Sequence, residues 1–374
     1  METQDFCGWR ECYTSELSPR ISRAGKWFVH SGIQQAEGGV ARYYRSDFEQ
    51  PTPVSTEITG YAAGAFVYMH SLTREPVYLE RATAAARFLA TTAWDPATRM
   101  VPFELDPPAL TYFFDSGIIV RGLLQTWRAT GEDQFLETAA ALGKAMAADF
   151  ESPATSDYHP VLRLPGKEPL ERDPASWSRS AGCYQLKAAM AWWDLAEATA
   201  DDHFRGFYER VLEYSLRTAA TFLPGHPEKT RVMDRLHAYL YFLEGLLPRT
   251  NDRRCASALC AGIRQVAELL RAIAPEFERA DVLAQLLRIR ICADWTGVAP
   301  LDLTAAREEA DRLASYQLSG RDARTDGGFA FGRRGGVLAP HVSPVPAAFA
   351  LQALALWESA TGNRSLQPHV HLLI

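Results

Sequence analysis

The chain has few of the features that mark nucleic-acid-binding, membrane or disulfide-built proteins. No block of Lys and Arg stands out and the formal charge is −6, which argues against nucleic acid as a partner. No apolar run reaches the length of a membrane span without a charge interrupting it, so none is expected. The start, METQDFCGWRECYTSELSPR, has no basic stretch leading into an apolar one, and no signal peptide is expected. The six cysteines, Cys7, Cys12, Cys183, Cys255, Cys260 and Cys292, form no C-x-x-C pair and no cluster with histidine at metal-ligand spacing. They read as reduced thiols of a cytoplasmic protein, with no metal or cofactor indicated.

What the chain does have is a repeat. Across 374 residues, 47% of them hydrophobic, six segments read as apolar helices ending near a threonine. They are STEITGYAAGAFVYMHSLT, FFDSGIIVRGLLQTWRAT, SRSAGCYQLKAAMAWWDLAEAT, MDRLHAYLYFLEGLLPRT, ERADVLAQLLRIRICADWT and SPVPAAFALQALALWESAT. The threonines Thr73, Thr130, Thr199, Thr250, Thr296 and Thr361 lie 46 to 69 residues apart. After most of them come polar or Gly linkers and a second, amphipathic helix, as in TGEDQFLETAAALGKAMAADF. A helix apolar all round is buried and an amphipathic one faces water on one side. Six such hairpins predict an all-α (α/α)6 toroid with inner and outer helix rings, one unit over residues 1–374. A helix near 20–35 would supply the outer partner that the last inner helix, near 344–360, lacks. A plain helical solenoid is the alternative. Pro-rich stretches such as FEQPTPVS and YHPVLRLPGKEPLERDPAS precede inner helices. Proline keeps them extended, and loops this long often line a binding site.

Counting back from the threonines, Glu57, Asp115, Asp234 and Asp281 lie 15 or 16 residues before Thr73, Thr130, Thr250 and Thr296. In a toroid these carboxylates ring one mouth. Each has an alternative use as a helix cap. A helix N-terminus also favours the ionised carboxylate, which suits a base or nucleophile better than an acid. His237, three residues past Asp234, can share its helix face and act near neutral pH. Aromatics crowd the same level: Tyr43, Tyr44, Tyr61, Tyr112, Phe113, Phe114, Trp177 and Tyr184. Rings among carboxylates fit a sugar, stacking on C–H faces while the acids bind hydroxyls. Arg42, Arg121 and Arg179 are candidates for holding an anionic group on the ligand, Arg121 alternatively being a packed ion pair. His341, in APHVSPVPAAF, lies on a loop at the mouth.

The hairpin pattern, over most of residues 20–362, resembles the (α/α)6 toroids of carbohydrate-active proteins. FFDSGIIVRGLLQTWRATGEDQFLETA is similar to the segment of unsaturated glucuronyl hydrolases that carries a catalytic aspartate after a histidine. This implies that role for Asp115, with Phe114 standing where the histidine would be. SWSRSAGCYQL is similar to the Arg-Gly-Gln-Ala-Trp helix start of those enzymes and implies ligand contact by Trp177 and Arg179. In that family another inner helix, with a second catalytic aspartate, lies between the two segments; here the hairpins are consecutive. MDRLHAYLYFLEGLL resembles the N-acylglucosamine 2-epimerase helix that carries a catalytic histidine, which implies His237, with His341 as partner base. The STEITGY start is similar to that of uncharacterised toroid proteins of bacterial exopolysaccharide biosynthesis. No D-x-D-D or D-D-x-x-D motif of terpene cyclases and no Cys/Cys/His zinc set of lanthionine cyclases is present.

The expected function is therefore binding of a saccharide or oligosaccharide, uronic-acid-containing ones included, at the inner-helix N-terminal mouth. The first chemistry expected is glycoside hydrolysis by Asp115 with Glu57 or Asp234. Tyr44, Tyr61, Tyr112, Trp177, Arg179, Tyr184 and His341 would contact the sugar. The alternatives are an epimerase or lyase using His237 and His341, and a non-catalytic component of exopolysaccharide biosynthesis with polysaccharide-synthesis proteins as partners.

Overall fold

The computed structural model describes residues 17–152, 155, 157–173, 175–362 and 369–374. The expectations for Cys7, Cys12 and a leader fall on residues 1–16, outside the described residues. The helices are α1 (Pro19–His30), α2 (Thr56–Thr73), α3 (Pro76–Arg87), α4 (Phe113–Thr130), α5 (Asp133–Asp149), α6 (Gln185–Thr199), α7 (Asp202–Thr218), α8 (Lys229–Gly245), α9 (Arg253–Ile273), α10 (Ala280–Trp295), α11 (Leu303–Ala314) and α12 (Pro344–Thr361). The even-numbered helices pack side by side in the order α2, α4, α6, α8, α10, α12, and α12 returns to α2, closing an inner ring. The odd-numbered ones lie outside it, and α1 packs on α12 and α2 as the sixth outer helix. This is the (α/α)6 toroid expected from the hairpin repeat. No helix among the described residues is long and apolar enough to cross a membrane. Cys183, Cys255, Cys260 and Cys292 are free thiols.

The recurring threonine has a common local geometry. Its hydroxyl bonds back to a carbonyl of the preceding turn, beside the backbone amide that carbonyl already accepts. Five of the six hydroxyls bond back four residues: Thr73 to Met69, Thr130 to Thr126, Thr199 to Leu195, Thr296 to Cys292 and Thr361 to Trp357, at 2.7–2.9 Å. Thr250 reaches Leu247 at 3.4 Å instead, because α8 stops at Gly245 and a 3₁₀ turn follows.

Glycines let inner helices touch. A Cβ on Gly117 of α4 would sit 2.5 Å from the Ala188 carbonyl oxygen of α6, and one on Gly122 would sit 2.5 Å from the Gly60 carbonyl oxygen of α2. Gly117→Ala is therefore expected to destabilise the protein by about 1–3 kcal/mol through overpacking against backbone, seen as a lower Tm. An unchanged Tm would mean that the helix pair relaxes freely.

Short strands stitch the loops at the mouth: β1 (Tyr44–Arg45), β2 (Gln50–Pro51), β3 (Leu110–Tyr112), β4 (Glu151–Ser152), β5 (Asp157–Tyr158), β6 (Val161–Arg163), β7 (Glu168–Pro169), β8 (Phe277–Arg279), β9 (Gly332–Arg334), β10 (Val337–Leu338) and β11 (His341–Val342). The sheets run β11-β1-β2, β10-β9-β8 and β3-β6-β7, with β4 paired to β5. All pairs are antiparallel. β1, in the segment leading to α2, thus pairs with β11, the strand before α12, tying the first repeat to the last at the mouth.

Beneath the mouth the ring is filled. Tyr61 and Tyr241 are hydrogen-bonded hydroxyl to hydroxyl at 3.0 Å, with Phe349 edge-on to Tyr61. Below them, fully buried Arg288 and Lys187 both pair with Glu244. Residues 369–374 then pack into the ring. Arg121 donates to the Leu373 and Val370 carbonyls, Gln125 to His371, Gln352 to Leu372 and Lys187 to Ile374. Arg121 also pairs with buried Asp194 at 2.9 Å. Of its two sequence readings the ion pair is the one found, and Arg121 is no ligand arm at the mouth.

Candidate functional site

The first turns of α2, α4 and α10 and the third turn of α8 bring Glu57, Asp115, Asp281 and His237 to one mouth, and none of Glu57, Asp115, Asp234 and Asp281 is an N-cap residue. The caps are Ser55, Tyr112, Glu228 and Arg279. Helix α8 starts a turn earlier than its threonine count implies, so Asp234 lies in its second turn.

Glu57 and Asp115 form one unit. Asp115 is 7% exposed, and its Oδ2 is buried with no hydrogen-bond partner. Burial raises its pKa well above the usual carboxylate range, and the nearby Glu57 charge raises it further. Burial raises Glu57 to about 7, with Arg42 opposing. Enough protein surrounds Glu57 to strip its water, yet the residue keeps part of its surface open, as expected at the bottom of a crevice. The expectation of an ionised Asp115 is thus reversed: desolvation outweighs the helix N-terminus, and the pair retains a proton near neutral pH. Arg42, the cation acting on both, is shared with Glu104 at 2.6 Å and lies over the Phe103 ring.

Across the mouth, the His237 ring lies against Tyr241, with Trp177 and Phe349 further off. Its Nδ1 is 2.7 Å from Gln285 Oε1 and 3.6 Å from Asp281 Oδ2. The Asp281 carboxylate can only accept, which favours the hydrogen on Nδ1 and leaves Nε2 its lone pair. Burial lowers the pKa to about 4 despite Asp281, and the imidazole is neutral at physiological pH. Asp281 is gripped by both arms of Arg279, at 2.9 and 2.5 Å, and a third donor of Arg279 holds Asp234 at 2.8 Å. Asp234 is therefore tied to Arg279 and half-exposed, with no contact to the Glu57–Asp115 pair.

The remaining sequence candidates fall in several places. Tyr61 is in the floor. Trp177 stands edge-on to Tyr184, whose hydroxyl donates to the Ser180 carbonyl. Tyr112 packs on Phe103 and feels the charges of Asp115, Arg179 and Arg42. Arg179 donates to the Glu171 carbonyl at the rim. His341 lies tilted against Tyr43 and edge-on to Phe331, apart from His237. Tyr44 does not join this group: it is buried beneath the Arg324 guanidinium, while its neighbour Tyr43 meets His341, as strand alternation requires.

Arg279, Gln285 and Tyr241 were missed in the sequence. Tyr241 had a usable signal, four residues past His237 on one helix face. Arg279 opens a helix two residues before an aspartate, a weak signal without knowledge of which strand it ends. Among the described residues no group of three or more His, Cys, Asp or Glu side chains could hold a metal.

No protein-family model matches the chain, and no curated protein matches it. Solved structures do. A cellobiose 2-epimerase from Spirochaeta thermophila aligns with TM-score 0.70 and 14% identity over 92% of this chain and 97% of that one. A D-mannose isomerase gives 0.65 and 9% over 91% and 99%. A family 76 glycoside hydrolase (mannosidase) from Bacteroides thetaiotaomicron gives 0.57 and 12% over 91% and 99%. At these identities the likeness is one of fold, and the chain is similar in fold to the (α/α)6 toroids of carbohydrate-processing enzymes.

Proposed function

We propose that the chain is a saccharide-processing enzyme that moves a proton at a sugar carbon, as an epimerase or isomerase does. The observation that carries this reading is an unlike pair facing one aromatic mouth: a carboxyl unit, Glu57–Asp115, that retains a proton, and a neutral imidazole, His237, with its lone pair at Nε2. The fold shared with a cellobiose 2-epimerase and a mannose isomerase supports it.

In this reading His237 Nε2 takes the proton from the carbon beside the carbonyl of an open-chain sugar. The C–H electron pair forms the enediol double bond, and the carbonyl oxygen takes the Asp115 proton. Return of a proton to the same carbon from the opposite face, with the new O–H proton going back to the carboxyl pair as the carbonyl re-forms, gives the epimer. Return to the neighbouring carbon, with the hydroxyl proton of the carbon first deprotonated passing to the carboxyl pair as its C=O forms, converts aldose to ketose. Rings such as Trp177 and Tyr112 would stack on the sugar. His341, seated against Tyr43 and Phe331, is less suited than the carboxyl pair to be the second proton carrier.

Hydrolysis is the second reading, favoured by the shared proton of Glu57 and Asp115. It needs one carboxylate held ionised. The half-protonated pair can supply one, but hydrolysis leaves the free Nε2 of His237 at the same mouth without a part in the chemistry, and it ranks second for that reason.

Proton NMR in heavy water with a panel of neutral and uronic-acid mono- and oligosaccharides tests this. Loss of one ring-proton signal, as deuterium enters from solvent, is the expected outcome. New anomeric signals without exchange would sink the proposal in favour of hydrolysis. Line broadening on a sugar with neither change would leave a binding protein.

A further inference from the structure

We propose that Arg279 is a positioning residue that keeps His237 a neutral base in a single tautomer by taking up the charge of Asp281 and Asp234. The inference rests on the reading of His237 as the base. Arg279 ends β8 and is the N-cap residue of α10. Its strand is paired to β9, with Arg279 opposite Gly332, so the backbone holds it. Its guanidinium lies 4.6 Å from the Phe331 ring centroid and is 8% exposed as a residue. Three of its nitrogens serve two carboxylates from two helices: Asp281 of α10 through Nε and Nη2, and Asp234 of α8 through Nη1.

The groups facing His237 come from every packed element. Helix α10 supplies Asp281 and Gln285, β8 supplies Arg279, and α8 itself supplies Asp234 and Tyr241. The 3₁₀ turn supplies Trp177, and α12 supplies Phe349. Arg279 is the cation that opposes the two carboxylates at the ring. Without it, the Asp281 carboxylate 3.6 Å from Nδ1 would stand uncompensated in a dry site and draw a second proton onto the imidazole. A protonated His237 has no lone pair and cannot start the reaction. The fork also fixes the plane of Asp281, so that the acceptor faces Nδ1 and the free nitrogen is always Nε2.

Nitrogen NMR of the imidazole side chains tests this without any substrate, so it fails independently of the sugar chemistry. In the wild type, His237 is expected to stay neutral with Nε2 unprotonated through the physiological range. In Arg279→Met, its titration is expected to move up by more than about one pH unit, and in Arg279→Lys by less, since a charge remains but the fork is lost. The double variant Arg279→Met/Asp281→Asn removes both charges together, and His237 is expected to return to neutral. An unshifted titration in Arg279→Met, or a raised one in the double variant, would overturn the proposal. If Arg279→Met does not fold, the Lys and double variants decide alone. A His237 equally protonated in both would show that Arg279 is only structural.

Discussion

His237→Asn is expected to lower turnover by at least roughly 10²–10⁴-fold, the usual contribution of a placed general base, with little change in sugar binding. Asparagine can offer an amide N–H near the place of Nδ1–H, so Gln285 and Asp281 keep a donor, while nothing replaces the Nε2 lone pair. Deuterium entry into the sugar should stop with turnover. The pH profile of the wild type follows from the same groups. His237 lies at about 4, so its acid limb falls below the physiological range and turnover is flat on that side. The alkaline limb belongs to the carboxyl pair, with Glu57 at about 7, and turnover should fall as the pair loses its proton. A variant that keeps turnover within about tenfold of wild type would remove His237 from the mechanism.

Much of this was legible because it is local. The inner helices are apolar all round, as burial requires, and the terminal threonines repeat at the end of each. The register of Glu57 and Asp115 follows from the same spacing. What was not legible depends on depth and on long-range pairing. A sequence shows that Asp115 sits in the first turn of a helix, where the dipole favours its charge. It does not show how deeply the fold buries that carboxyl, and the desolvation reverses its ionisation. Arg279 meets Asp234 across 45 residues, and His237 meets Gln285 across 48. No periodicity within one helix reports either contact. Tyr44 was chosen over Tyr43 because two adjacent tyrosines are equivalent until strand pairing decides which face each takes. The packing of residues 369–374 inside the ring had no signal beyond a short apolar stretch, and it is what takes Arg121 away from the ligand.

Asp115→Asn and Glu57→Gln are expected to move activity and stability in opposite directions. For activity, loss of the acid should cost roughly 10²–10⁴-fold in turnover, and in Asp115→Asn the alkaline limb should change or disappear. For stability, both carboxyls have folded-state pKa values above their unfolded ones. The native state then holds protons that the unfolded chain has released, and stability falls as pH rises from the unfolded value to the folded one. For Glu57 that window runs from 4.5 to about 7. Above it, the buried charge costs the fold up to about 3 kcal/mol, an upper bound from the shift itself. Removing the charge removes that cost. Each variant should therefore melt higher than wild type at about pH 8, and the advantage should vanish near pH ~3, below the unfolded values of 3.8 and 4.5, where both carboxyls are protonated in both states. A carboxylate that merely supports the fold predicts the reverse, because its loss would lower both Tm and activity together. Thermal denaturation of the two variants across that pH range, beside their turnover, separates the cases: dearer folding at high pH in the wild type is the signature of a carboxyl buried for chemistry rather than for packing.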